Sequence, residues 1–481
     1  MKRYINILLI SILLFGCSTD DFLEKLPPYE ADLDGAITNA NTVELALIGV
    51  YANLSADAYY SRDIMVEGSF KAGTMRKPEW WTRGNAVWYY ERYWPVLYGN
   101  GGNEWSFDYG LIKNANFLLS AIEGIDDFEG NRKEEIVGEL HFLKALAYER
   151  LLLRFTQHWD MNSKLGLIIR NELPSIENVK KDRSTVAESY EMILEELEIA
   201  IDKCPEYSEC SQASKVAAKA LKARVLFQME RYSDCINMAN EVLAHTENAL
   251  APDYSTIFSD WESTGEILFG RVFGDSDASS LETRITSFSS GKWGPSSNYI
   301  SLLGDDPRYN AIIGDTVVVD YRYGSSGTVY KNPTVKKLVN SSNNLPLMYL
   351  RTAEIYLMKA EAIYRSGGSY EDAYAPIAAI RARAGANPVP HATQEEIETA
   401  ICNEWLIEMS FENWHEYFAL RRFGAEKLLE RNDILRESLD KAIAQGSDAE
   451  AQYRQRIEDF RISSIPSSET NGNPVEQNPG Y

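Results

Sequence analysis

The chain has 481 residues, too many for one small core, and beyond its first 16 residues no apolar stretch is long enough to cross a bilayer. Its formal net charge is −23, and it is rich in aromatics, with 28 Tyr and 10 Trp. That acidic balance, with no basic cluster to offset it, repels phosphate backbones and excludes nucleic acid as a partner.

The first element is MKRYINILLISILLFG, residues 1–16. Lys2 and Arg3 precede an apolar run from Ile5 to Phe15, interrupted by Asn6 and Ser11, and Gly16 supplies a small-residue junction. This is the order of a secretory signal, and the run is shorter than the roughly 20 residues a spanning helix needs. Gly16-Cys17, with Leu14 three residues before the cysteine, resembles a bacterial lipobox. The resemblance implies that Cys17 is lipidated and heads a mature chain tethered to a membrane it does not span. Removing 1–16 leaves 46 basic against 71 acidic residues, a net charge of −25.

Helical periodicity dominates the rest of the chain. Patterns with apolar residues three and four apart lie at 42–56, 105–123, 185–203, 394–412 and 414–431. A recurring Lys-Ala phrase marks three more stretches: FLKALAYERLLLRF (142–155), ALKARVLFQMERY (220–232) and YLMKAEAIYRSGGSY (356–370). The last two are followed by YSDCINMANEVL and YEDAYAPIAAIR, both opening on Tyr-x-Asp. An Ala-rich helix, a tight turn at Gly367-Gly368 and a second helix within about 34 residues make a tetratricopeptide-like hairpin. Pro376 predicts a kink, or a second helix starting later than Tyr370, because an interior proline costs about 3 kcal/mol. Two regions break the period, 58–104 and 250–345, and the tail over 445–481 reads as polar loop. Cys204 and Cys210 are spaced for a short disulfide loop or for two unpaired thiols; neither they nor Cys235 and Cys402 suggest zinc. The expectation is a mainly α protein: signal 1–16, then one domain over 17–481. Its scaffold runs over about 40–57, 105–250 and 345–432 and carries two long irregular insertions.

With these phrases in order, the chain resembles the SusD/RagB family of outer-membrane lipoproteins of Bacteroidetes, nearly end to end. The resemblance rests on CSTDDFLEKLPP after the lipidation site, WSFDYGLIKNANFLL (105–119), FLKALAYERLLLRFTQHWD (142–160) and LRTAEIYLMKAEA (350–362). It continues through IRARAG (380–385), NEWLIEMSFENWHEYFALRRFG (403–424) and the closing QNPGY (477–481). The chain departs from the family at Glu404-Trp405, usually Glu-Arg, and at Glu412-Asn413, usually Glu-Gly. The resemblance implies a lipid-anchored cell-surface protein of the outer membrane that binds oligosaccharide or polysaccharide. Its implied partner is a SusC-like TonB-dependent transporter, which would import the bound glycan. The acidic residues after Cys17 resemble the family's surface-export signal.

Sugars offer C–H faces to aromatic rings and hydroxyls to planar polar groups, so a site needs exposed Trp or Tyr beside Asn, Asp, Gln or Arg. The densest such stretch is KPEWWTRGNAVWYYERYWPVLYGNGGNEW (77–105), where Trp80, Trp81 and Trp88 with Arg83 and Asn85 form a candidate platform. A second is SGKWGPSSNYISLLGDDPR (290–308), with Trp293, Asn298 and Tyr299. Trp293 is expected to meet the Trp80–Trp88 segment across one face. Rings that merely pack an insertion onto the scaffold are the competing explanation, and Trp105 is assigned to the core on that ground.

Catalytic readings find little support. The chain has no HExxH, no GxSxG and no Walker-type loop, and its five His are scattered. Adjacent Asp305 and Asp306 cannot flank one glycosidic bond, and no EF-hand spacing suggests calcium. The chain reads as non-catalytic, without metal or cofactor. The alternative is a helical adaptor whose aromatics contact protein or peptide.

Overall fold

A computed structural model describes residues 33–55, 67–76, 102–272 except 174 and 176, 294–321, 328–337, and 345–481 except 460. Its longer helices are α1 (Ala40–Ala52), α2 (Gly102–Ile122), α3 (Arg132–Phe155), α4 (Val186–Lys203), α5 (Lys215–Gln228) and α6 (Tyr232–Leu243). After α7 (Ser297–Leu303) come α8 (Thr352–Arg365), α9 (Tyr370–Arg383), α10 (Gln394–Glu408) and α11 (His415–Arg422). Then come α12 (Ala425–Arg431), α13 (Asp433–Gln445) and α14 (Ser447–Asp459). The protein is mainly helical, as the periodicity predicts.

Side-chain caps fix where these helices begin. Asn39 and Thr42 form a capping box before α1, Thr185 and Glu188 before α4, and Thr393 and Glu396 before α10. Each box satisfies two backbone donors that a helix start otherwise leaves unpaired. Ser214 and Ser369 cap α5 and α9 in the simpler way. The three Lys-Ala helices pack as expected against their successors in the chain: α3 against α4, α5 against α6, and α8 against α9. Contacts of α4 with α5 and of α6 with α8 join these pairs into one stack. Alanines at the crossings, among them Ala147, Ala217, Ala220, Ala223 and Ala360, are fully buried, and their small size lets the helices approach closely. The α8–α9 turn uses Gly367 at φ +81°, a left-handed conformation that glycine adopts without strain. Beyond it, α9 starts at Tyr370 and runs through the buried Pro376, so the later start is not observed.

Short strands occur in or beside the regions that break the period. β1 (Met75–Arg76) pairs antiparallel with β3 (Gly294–Pro295), β2 (Ile267–Arg271) with β6 (Leu347–Arg351), and β4 (Ile313–Tyr321) with β5 (Thr328–Val335). The core runs through the helix stack, and a second apolar cluster forms where Trp414, Tyr417, Leu420, Leu428 and Leu435 meet. Cys204, Cys210, Cys235 and Cys402 are buried free thiols, so the unpaired alternative holds for Cys204 and Cys210. Burial pushes the Cys210 thiol up to about 12, which makes it a poor nucleophile.

The tail differs from expectation. Instead of loop throughout, it holds α14 and a short helix at Ser467–Gly472. Ile457 is the one residue of α14 that is buried, so the sequence there carries no apolar stripe to read. Helix formers and the packing of α14 on α13 supply the order instead.

Candidate functional site

Trp80, Trp81, Arg83, Asn85, Trp88 and Trp293 lie outside the described residues, as does Cys17. What is described is the strand pair that adjoins these segments in the sequence. β1 ends at Arg76 and β3 begins at Gly294, and these two residues are register partners, with Met75 opposite Pro295. In an antiparallel pair, the chain leaving β1 and the chain entering β3 share one end of the ribbon. In the sequence Trp80 is four residues beyond Arg76, and Trp293 directly precedes Gly294.

The ribbon stands on the scaffold. The Ser296 N–H donates to the Thr74 carbonyl at 2.8 Å, and Ser296 caps α7. Behind β1, the Ser69 hydroxyl donates to Glu416 Oε1 at 2.6 Å and the Thr74 hydroxyl to the same atom at 3.2 Å. The Asn432 amide donates to the Phe70 and Lys71 carbonyls at 3.3 and 3.0 Å. Gly73 sits at φ +77°, and a Cβ there would fall 2.6 Å from Asn432 Cα, so only glycine fits this approach.

The two remaining candidates have other roles. Tyr299 is 2% exposed and meets Phe411 edge-on, ring centroids 5.2 Å apart, so it is core and presents no face to a ligand. Asn298 is half-buried and donates to Asp433 Oδ1 at 2.7 Å. The cause is local: Ser296 starts a helix where irregular loop was expected, and Tyr299 and Leu303, four apart, turn inward together. Trp105, assigned to the core, is 5% exposed, with its ring against Phe155.

Sequence reading missed a ladder of acids at Glu404, Glu408, Glu412 and Glu416, spaced by four and all buried. Arg308 binds Glu404 and Glu408 at 2.5 and 3.0 Å. Arg351 binds Glu266, Glu408 and Glu412 at 2.6 to 3.0 Å, and Lys337 binds Glu412 at 2.6 Å. Arg383 adds bonds to Glu266 and Glu408. Burial pushes the Glu408 carboxyl up, but the surrounding cations, Arg383 foremost, outweigh it and hold the group well below the usual carboxylate range. Asp306 is likewise pushed up by burial and brought below its ordinary value by Arg308 at 2.8 Å.

Two hollows elsewhere suit a glycan less well. A groove of about 700 Å³ runs beside the end of α7 and α10, between Leu302, Asp305, Arg381, Asn387 and Asn403, and no described residue lining it is aromatic. A cavity of about 70 Å³, room for about five waters, lies between α3, α5, α8 and α11. Its charged walls are largely committed to one another: Arg224 binds Glu354 at 2.6 Å and Arg154 binds Glu104 at 2.7 Å. Among the described residues, no group of His, Cys, Asp and Glu has the arrangement to hold a metal ion.

Comparison with known proteins agrees with this architecture at both ends of the chain. A family model described as the SusD family matches residues 311–481, and one described as starch-binding, associating with outer membrane, matches 21–227. The C-terminal third of the chain thus matches the SusD family. A SusD-like protein P25 from Formosa agariphila is 20% identical over 324 residues, 63% of this chain and 59% of that protein. A SusD-like protein from Bacteroides ovatus is 25% identical over 227 residues, 47% and 39% of the two chains. Alignment with these curated relatives thus spans less than two thirds of their own length. Among solved structures, a SusD superfamily protein from Bacteroides thetaiotaomicron superposes with a TM-score of 0.70 at 20% identity, covering 92% of this chain and 100% of that one. A laminarin binding SusD-like protein gives 0.69 at 18%, covering 92% and 100%. At these identities the structures establish the SusD fold.

Proposed function

We propose that the protein is a lipid-anchored glycan-binding protein of the outer-membrane surface. It captures an oligosaccharide or polysaccharide and delivers it to a SusC-like TonB-dependent transporter for import. The observation that carries this reading is the β1–β3 register, which starts the segment bearing Trp80, Trp81 and Trp88 beside the residue after Trp293. Rings with planar polar groups beside them in the sequence suit the alternating C–H and hydroxyl faces of a sugar. Arg83 and Asn85 would supply hydroxyl partners, and Cys17 the tether. Support comes also from the SusD and starch-binding family models that match the two ends of the chain and from the fold shared with a laminarin binding protein.

The test pairs affinity electrophoresis with fractionation. The mature protein is run through gels carrying individual polysaccharides, and retardation by at least one is expected. Cys17→Ala is expected to move the protein from the outer-membrane fraction to the soluble one and to reduce its co-purification with the transporter. Full mobility in every polysaccharide gel would contradict glycan capture. An unchanged membrane fraction in Cys17→Ala would contradict the anchor.

A further inference from the structure

The cavity of about 70 Å³ between α3, α5, α8 and α11 has a wall rich in rings, among them Phe227, Tyr349, Trp405, Trp414 and Phe418. The charges in that wall answer one another. Arg154 binds Glu104 at 2.7 Å and Glu67 at 3.0 Å, and Arg224 binds Glu354 at 2.6 Å. Arg422 binds Glu361 at 2.9 Å, and Arg150 faces Asp108 at 3.7 Å. The arginines also cover ring faces: Arg154 lies 3.7 Å from the Trp414 centroid and Arg422 5.1 Å from that of Trp405. An ion entering here meets counter-charges already paired, and gains little in return for its hydration. The cavity therefore disfavours a charged occupant.

Three polar groups in the same wall are not committed. Among the described residues, nothing hydrogen-bonds Glu149 Oε1, Trp405 Nε1 or Trp414 Nε1. Glu149 and Trp405 are each 2% exposed and Trp414 5%, so bulk solvent does not serve them, and a buried polar atom without a partner is costly. An indole N–H only donates, so each needs an acceptor oxygen. Burial pushes the Glu149 carboxyl up to about 7 against the pull of Arg224, so near neutral pH it both donates and accepts. A hydroxyl, donor and acceptor at once, matches all three. The adjoining backbone is strained: Phe411, Asn413 and Trp414 hold φ of +62°, +44° and +69°, and strain of this kind collects at ligand clamps. Room for about five waters takes a molecule the size of glycerol and is too small for a hexose ring.

We propose that this cavity binds a small neutral polyol of glycerol size, its C–H groups against the rings and its hydroxyls on Glu149, Trp405 and Trp414. The site is separate from the glycan platform and does not rest on that reading.

The test titrates glycerol into the mature protein carrying ¹⁵N-labelled tryptophan and follows the indole N–H resonances, with acetate and ammonium as charged probes. Trp405→Phe and Trp414→Phe, which keep a ring and lose the N–H, assign the two signals. Glycerol is expected to shift these two saturably, and the charged probes to leave them in place. Glu149→Leu, which removes the hydrogen-bonding oxygens, should weaken glycerol binding about tenfold, whereas Glu149→Gln should stay within about threefold of wild type. Should Glu149→Leu fail to fold, Trp405→Phe decides, read on the Trp414 signal, with the same loss expected. Shifts that grow without saturation across all the tryptophans, an effect of bulk solvent only, would overturn the site. So would wild-type glycerol affinity in both Glu149→Leu and Trp405→Phe. Saturable shifts with acetate or ammonium and none with glycerol would overturn the neutral class of ligand.

Discussion

At Glu149, burial and charge pull in opposite directions. The carboxyl lies in the wall of the scaffold cavity, and burial, only partly offset by Arg224, pushes it up to about 7 from an ordinary 4.5. A folded-state value above the unfolded one means stability is fully present below about pH 4.5 and is lost as pH rises through 7. The interval corresponds to on the order of 3 kcal/mol at 1.36 kcal/mol per unit. Glu149→Gln should flatten this part of the stability profile, as read from urea melts between pH 5 and 8; an unaltered slope would show that another group sets it. The residue scale also shows what sequence could and could not reveal. The four-residue spacing from Glu404 to Glu416 is plain in the sequence, but their partners Arg308, Lys337 and Arg351 lie on other elements, so only the fold reveals which acid lacks a cation. Asn413 is a departure that was legible: where the family usually has Gly, it sits at φ +44°, a conformation Asn tolerates better than most residues, and its amide bonds the Met348 carbonyl.

Among elements, the helix pairs were readable because a buried helical face repeats every three or four residues and because Gly367 and the caps punctuate it. α14 was not, having one buried side chain and no stripe. Neither was the β1–β3 pairing: two dipeptides far apart in the chain carry no periodicity, and the residues before β1 are held by Glu416 and Asn432 from elsewhere in the chain. The closing QNPGY phrase has a structural explanation. Asn478 is 1% exposed, donates to the Phe155 carbonyl at 2.9 Å and to the Ser463 carbonyl at 2.6 Å, and accepts from Arg183 at 2.9 Å. It thereby stitches the tail to the end of α3. Asn478→Ala removes these three bonds, leaving Arg183 as the remaining donor to the Phe155 carbonyl, and should cost about 1 to 3 kcal/mol. Chemical denaturation measures it, and a change under about 0.5 kcal/mol would mean that the tail is not fastened there.

For the whole molecule, the proposed function joins an acidic helical scaffold with a proposed tether at Cys17 and a proposed aromatic platform adjoining the β1–β3 pair in the sequence. The fold was legible in the sequence. Of the candidate site, composition singles out the Trp-bearing segments, which lie outside the described residues, while Tyr299 was misassigned because its N-terminal cap at Ser296 was not recognised. The central claim is that the tryptophans are a sugar-facing platform and not packing. It is tested most directly by measuring glycan affinity and thermal stability together in the triple Trp80→Ala/Trp81→Ala/Trp293→Ala variant of the mature protein. The account predicts a loss of binding free energy of on the order of 1 to 3 kcal/mol per contributing ring, with stability changed by no more than about 0.5 kcal/mol per site. A triple variant that binds with wild-type affinity, or one that unfolds, would contradict it.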